Sequence, residues 1–414
     1  MLLLGLVLST PFVEMSGLAT EDHKAYRIYG YVALFGMQVA LGLLRGWRIS
    51  LRIVVTPVVA ALLWFCLSLT WATQVELAAK RVVLLSLIYL AIVSSVCGLG
   101  YKRSLEIVRI VLAILLAINL LAVFLVPDVG TQAWHDFHLW RGVMADKNIA
   151  CMICGVTILL FAIDREGVPL PLGVLVVGGA AVGLYQAWSR TTMITVVIAL
   201  AVGAAIAGVG PARWQAFRAH RTTTTKALWL GFGVAVAVLV ALTLQQEILL
   251  SFTDDATALS RRGSIWRPMV QFYLDHPMLG SGYGAYWDAA VNAEARSAYS
   301  NQAWLRNVDQ GHNGYLDLLV QTGLPGLAIG LAAVFVWPCS RLAAMAAVEP
   351  RRAALVFALI VFFLIENLAE TSLLADDAIG NLFLLFAVAQ VHRFEITTDT
   401  RKGRRRRTPA VVEA

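Results

Sequence analysis

The sequence predicts an all-α polytopic membrane protein of about 12 transmembrane helices with one long, partly helical periplasmic loop. Three observations predict it. Of the 414 residues, 59% are hydrophobic and only 14% are charged, against about 25% charged in soluble domains, and the mean hydropathy is +0.73. The apolar residues fall in runs close to the ~20 needed to cross ~30 Å of hydrocarbon. The short connections between runs alternate between basic and non-basic, as the positive-inside rule requires. Together these exclude soluble single-domain, disordered and fibrous chains.

The apolar runs lie near 1–14, 26–44, 53–73, 82–100, 107–126, 149–163, 169–187, 191–209, 227–246, 313–338, 353–370 and 376–392. The first lacks a positive n-region and an A-x-A site, so it reads as a short retained helix rather than a signal peptide. With the N-terminus in the cytoplasm, the inner loops hold Arg45, Arg48 and Arg52, then Lys102 and Arg103, then Arg165, then Arg213, Arg218, Arg221 and Lys226, then Arg341, Arg351 and Arg352. The basic tail, with Arg401, Lys402 and Arg404 to Arg407, lands on the same side. The last outer loop carries Glu366, Glu370, Asp376 and Asp377 without a Lys or Arg. The chain is therefore expected to be multi-pass in a bacterial inner (plasma) membrane, with both termini cytoplasmic. The chain divides into spans 1–9 (1–246), a periplasmic loop (247–312), spans 10–12 (313–392) and a basic cytoplasmic tail (393–414). The net charge of +7 comes largely from that tail. It suits an anionic leaflet better than a nucleic acid. Cys151 and Cys154 form a C-x-x-C inside an apolar helix, where they read as core cysteines. Arg109, near the inner end of span five, is expected to snorkel.

The outer face gathers basic residues against the positive-inside trend. Arg141-Gly-Val-Met-Ala-Asp146-Lys147-Asn148 precedes span six, with Asp146 or Asn148 suited to an N-cap. Ser189-Arg190-Thr191 sits at a very short outer turn, and Arg190 has no acidic neighbour in sequence. Arg261-Arg262-Gly-Ser-Ile-Trp266 opens a helical pattern in the long loop, and paired guanidinium forks suit phosphate. His312-Asn313-Gly-Tyr315 stands at the mouth of span ten, where an imidazole titrating near neutrality suits proton transfer. His276-Pro-Met-Leu-Gly280-Ser-Gly282-Tyr-Gly284 has no strand before it, so it reads as a turn with close backbone packing and not as a nucleotide site. Asp254 and Asp255 lack further ligands in sequence, and no metal or other cofactor is expected.

Taken in order, R-G-x-x-x-D-K-N, S-R-T, R-x-x-I-W, P-x-L-G-x-G-x-G and H-N-G-Y-L-D-x-x-x-x-x-G-x-x-G resemble the motifs of the O-antigen ligase and polymerase superfamily. The resemblance spans residues 140–330 by motif and is nearest in look to integral-membrane exopolysaccharide polymerases. It implies a metal-independent glycosyltransferase working at the periplasmic face, with no nucleotide sugar. An undecaprenyl-diphosphate-linked glycan would be the donor, and a glycan or lipid A-core the acceptor. The bilayer, and a chain-length regulator, would be its partners. Carried over by residue, it implies catalytic roles for Arg190 and Arg262, at the diphosphate, and for His312; Arg141, Lys147, Asn148, Arg261, Trp266, Asn313 and Tyr315 are the candidate substrate contacts. Asp146 departs from the family pattern, which has His or Asn more often there. The residues fit that chemistry in their own right, because fixed cations stabilise a departing diphosphate and a histidine can take a hydroxyl proton. Polymerase and ligase both stay open, with polymerase favoured. A solute transporter is the alternative from another class, although the paired repeats of such proteins are not visible here.

Overall fold

The computed structural model describes residues 57–245 apart from 135 and 136, residues 262–287, 308, 310–376 and 378–407, and scattered positions between 29 and 44. The chain is helical nearly throughout. In order it forms α1 (Pro57–Ser68), α2 (Val75–Leu99), α3 (Tyr101–Leu125), α4 (Pro127–Gly130), a hairpin of β1 (Thr131–Trp134) and β2 (Phe137–Trp140), α5 (Lys147–Ala162), α6 (Leu170–Ala187), α7 (Arg190–Gly208), α8 (Pro211–Ala219) and α9 (Arg221–Leu244). Then follow α10 (Gly263–Asp275), α11 (Gly314–Leu331), a π-helical turn (Ala332–Val336), α12 (Trp337–Cys339), α13 (Leu342–Ala346), α14 (Pro350–Glu366) and α15 (Ile379–Arg407).

Seven helices among the described residues are long and apolar enough to cross a membrane: Val75–Leu99, Tyr101–Leu125, Leu170–Ala187, Arg190–Gly208, Thr222–Leu244, Gly314–Ala346 and Ile379–Thr398. α1 and α5 are shorter apolar helices. At the centre lie α5 and α14, whose side chains are buried nearly all round. α7 packs along α14, α6 along α5, and α2 along α15. A helix apolar on every side belongs either in a core or in lipid. α5 and α14 take the first place and α9, which buries none of its spanning window, takes the second. Cys151 and Cys154 are buried, free thiols on α5.

Two features depart from the sequence expectation. The all-α class omits the antiparallel hairpin β1–β2, in which Thr131 pairs with Trp140 and Trp134 with Phe137. Strands of four residues are too short to show a period of two above the apolar background. Arg109 does not snorkel. It is buried, and its guanidinium donates to the carbonyls of Leu160 (2.8 and 3.0 Å), Asp164 and Glu166. It thereby closes the C-terminal end of α5, where carbonyl groups lack helical partners.

α11 is broken at Gly323, whose φ of 68° and ψ of −178° fall in a region essentially closed to side-chain-bearing residues. The exposed backbone groups are taken up by the loop 277–284. Leu324 N–H donates to Pro277 O (2.8 Å), and Ser281 N–H to Val320 O (3.0 Å). Trp64 Nε1 donates to Thr322 O (3.0 Å). Irregular backbone inside a membrane protein needs such internal partners. In the loop Gly280, Gly282 and Gly284 all take positive φ; Gly280 packs on Val320 and Gln321 of α11, Gly282 on Ala72 and Gly284 on Arg81. A Cβ at Gly323 would strike the Met278 carbonyl. Gly323→Ala is therefore expected to cost at least about 1–3 kcal/mol and to lower the thermal midpoint of the purified protein. Gly178→Ala, where a Cβ meets nothing within 4 Å, should leave that midpoint in place.

Candidate active site

The turn after α14 organises the site. Asn367 donates through Nδ2 to Phe363 O (2.7 Å) and accepts through Oδ1 from Ser372 N–H (2.9 Å). The carbonyls of Asn367 and Glu370 both accept from Gly314 N–H, at 2.9 and 3.0 Å. No side chain would fit at Gly314, because a Cβ there would overlap Asn367 Oδ1. The mouth of α11 is thus clamped onto the end of α14.

His312 stands just before that clamp in a left-handed conformation, φ 50°, which a non-glycine residue holds only when its surroundings fix it. The fixing groups are on both sides. Asn313 caps α11 by accepting from Tyr315 N–H and Leu316 N–H, both at 3.1 Å. Gly311 N–H donates to the buried carboxylate of Asp317 (3.1 and 3.2 Å), which also accepts from Trp287 Nε1 (2.5 Å) and Thr371 Oγ1. Gly311 O in turn accepts from Trp266 Nε1 at 2.8 Å.

So held, His312 points Nδ1 at Glu370 Oε2, 3.3 Å away, while Arg262 Nη2 donates to Glu370 Oε1 at 3.0 Å. Arg262 is the residue that leads into α10. The three side chains are part-buried, at 28% exposure for His312, 22% for Arg262 and 18% for Glu370. The hydrogen bond it donates to Glu370 holds the imidazole above its ordinary value; burial and the Arg262 charge oppose this, and the charges of Glu370 and Asp146 add to it. Asp146 is the N-cap of α5, accepting from Asn148 N–H (2.6 Å) and Ile149 N–H (3.1 Å). Burial pushes its carboxyl up, and Glu370 adds to that, against the two N–H bonds and the His312 charge.

The structure therefore brings together three of the sequence motifs. Arg262 and His312 meet on Glu370, and the Asp146-Lys147-Asn148 turn lies within their electrostatic reach. Ser189-Arg190-Thr191 approaches from behind. Ser189 Oγ pairs with Thr192 Oγ1 (2.9 Å), which donates to Glu366 Oε1 (2.9 Å), one helical turn before Glu370. Arg190 itself is exposed, and its guanidinium makes no hydrogen bond or ion pair among the described residues.

Other expected contact residues make bonds within the protein through side-chain or backbone groups. Arg141 donates from Nε to Val129 O (3.0 Å) and from Nη1 to Ala145 O (3.3 Å), bracing the turn before α5. The amide of Lys147 donates to Gln132 Oε1 (3.2 Å) and that of Asn148 to Asp146. The Tyr315 hydroxyl donates to Leu364 O. Trp266 and Asn313 position the His312 segment as described. Arg261, and Asp254 and Asp255, lie outside the described residues.

Three contributors escaped the sequence reading. Glu370 and Glu366 were visible only as members of an acidic outer loop. Arg81 donates to Gly284 O (2.7 Å) and faces Asp376 at 3.9 Å, tying the glycine loop to the same turn. The signal that could have found Glu370 was an acidic loop free of Lys and Arg on the face that carries unpartnered arginines.

Among the described residues no group of three or more His, Cys, Asp or Glu is arranged to hold a metal ion. The local resources are two arginines, a histidine oriented by a carboxylate, and helix ends. Such a set can bind an anion and move a proton. No curated protein matches the chain. Residues 172–331, a stretch that contains Arg190, Arg262 and His312, match the family model Wzy_C, described as O-antigen ligase.

Proposed function

We propose that this protein is a membrane-embedded glycosyltransferase that moves a glycan from a polyprenyl-diphosphate carrier to an acceptor sugar hydroxyl at the periplasmic face. We favour polymerisation of exopolysaccharide or O-antigen repeat units. The supporting observation is the Arg262–Glu370–His312 constellation at one end of a helical bundle, within and beside the segment that matches the O-antigen ligase family. The reading includes about twelve spans, both termini in the cytoplasm, and the 247–312 loop outside, consistent with the ~20-residue apolar runs.

The chemistry follows from the side chains. The acceptor oxygen attacks the anomeric carbon of the donor, and the bond from that carbon to the diphosphate oxygen breaks. Arg262, together with Arg190, neutralises the charge that develops on the departing lipid diphosphate, and guanidinium does so without titrating. Nδ1–H of neutral His312 donates to Glu370, which leaves Nε2 to accept the hydroxyl proton. Fixed cations in this role take the place of a divalent ion, so transfer should continue at full rate in a strong chelator. Loss of activity that added Mg²⁺ or Mn²⁺ restores would count against that assignment.

The deciding experiment compares lipopolysaccharide and secreted polysaccharide from a clean deletion strain on gels. Loss of secreted polymer, with single lipid-linked repeats accumulating, is the expected result. Long lipid-linked polymer beside bare lipid A-core would instead make this a ligase. Two intact profiles would sink both and favour a transporter.

A further inference from the structure

The other end of the same helices carries a second constellation. From Arg81 to Leu99, α2 runs about 27 Å at 1.5 Å per residue, close to the thickness of the hydrocarbon layer, and then reverses into α3 at Gly100, φ 85°. Around that reversal lies a cleft of about 380 Å³, lined by Lys102, Arg103, Arg352 and Arg393, with Glu106 as the acidic member. Arg393 reaches over the turn from α15, and a Cβ at Gly100 would come 3.0 Å from its Nη2. Arg352 lies over the Tyr101 ring, 4.5 Å from its centroid, and bonds Glu349 at 2.6 Å. Lys102 pairs with Glu166. The guanidinium groups of Arg103 and Arg393 make no hydrogen bond or ion pair among the described residues.

Leu99 lines both this cleft and an adjoining groove of about 110 Å³ between α2, α3 and α15, whose walls are apolar and include Val96, Val108, Phe383 and Phe386. Cations and a greasy groove thus share a wall at this end of the bundle. A soluble anion would gain nothing from the groove, and a neutral lipid nothing from the arginines. We propose that the cleft binds the phosphodiester headgroup of an anionic phospholipid, with a short stretch of one acyl chain in the groove. Basic clefts between spans at the cytoplasmic side are suited to such headgroups. The proposed topology puts this cleft on that side, away from the glycan chemistry, so its occupancy does not depend on the enzymatic reading.

The test uses the full-length protein in vesicles of equal parts phosphatidylglycerol and phosphatidylcholine, followed by native mass spectrometry of the lipid retained. Phosphatidylglycerol should be retained in preference. The double variant Arg103→Gln/Arg393→Gln should weaken it by roughly thirty-fold, at about five-fold per cation removed. Inorganic phosphate at millimolar concentration should neither displace it nor shift the thermal midpoint. Retention of both lipids in bulk proportion by the wild-type chain would overturn the proposal whether or not the variant folds. Displacement by inorganic phosphate would overturn the lipid assignment and leave a site for the free anion. Equal retention by a folded double variant would remove these arginines from it.

Discussion

Arg262→Ala is expected to abolish detectable polymer while the protein keeps its normal level in the membrane. The two halves of that expectation have different causes. The catalytic half follows from the role proposed for the guanidinium: a diphosphate leaving group would gather charge as its bond breaks, and losing one preorganised donor to such a charge costs about 10²–10³ in rate. The structural half follows from exposure. Arg262 and Glu370 are 22% and 18% exposed, and a pair with that much access to water contributes at most about 1 kcal/mol to folding. Glu370 also keeps its second contact, with His312, so it is not left a bare buried charge. Arg262→Lys sharpens the point. It retains the cation but loses the planar fork that grips two oxygens at once, so it should also fall well below wild type. Gels of secreted polymer, read beside an immunoblot of the membrane fraction, check both halves. Normal polymer from a stably expressed Arg262→Ala chain would take Arg262 out of the mechanism.

The bundle was legible in the sequence and its joints were not, for physical reasons. A run of twenty apolar residues with few charges has one common solution in lipid, and α2, α3, α6, α7, α9 and α11 lie on runs visible in the sequence. The motifs that hold Arg190, Arg262 and His312 were also visible, because arginine on an outer face breaks a charge rule. What joins them was hidden. Glu370 meets Arg262 across 108 residues and His312 across 58, and no local pattern encodes such a meeting. The same holds for Arg109, whose carbonyl partners lie more than 50 residues away. The break at Gly323 was partly readable, since Gly-Leu-Pro-Gly interrupts any helix, but not the loop that fills it. Asn313, Trp266 and Tyr315 show the converse. Expected as substrate contacts, they also make bonds within the protein that hold the His312 segment and the mouth of α11.

The pH dependence of transfer separates Glu370, as the residue that positions His312, from a mere structural brace. A general base must be neutral, so the rate should rise with pH through the His312 titration. The Glu370 hydrogen bond holds that titration above the ordinary value, which is about 6.5. In Glu370→Gln the bond to an anion and its charge are both lost, while burial and the Arg262 charge still disfavour the imidazolium. The rising limb should therefore move to lower pH, even as the plateau falls through loss of orientation. Arg262→Ala should move the limb of its residual activity the other way, because a cation that lowers the His312 titration is gone. Asp146→Asn removes an anion that raises it, and so should move it down slightly. Stability follows the same linkage with a definite sign. A histidine raised in the folded state contributes stability that is fully present below its unfolded value, about 6.5, and is lost as pH climbs through the folded value. The wild-type chain should thus gain thermal stability over Glu370→Gln on going from pH 8 to pH 6. His312→Ala should lose about 10²–10⁴ in rate and show no such limb at all. A rate profile that keeps its limb unmoved in Glu370→Gln would leave Glu370 a structural residue and His312 without its orienting partner.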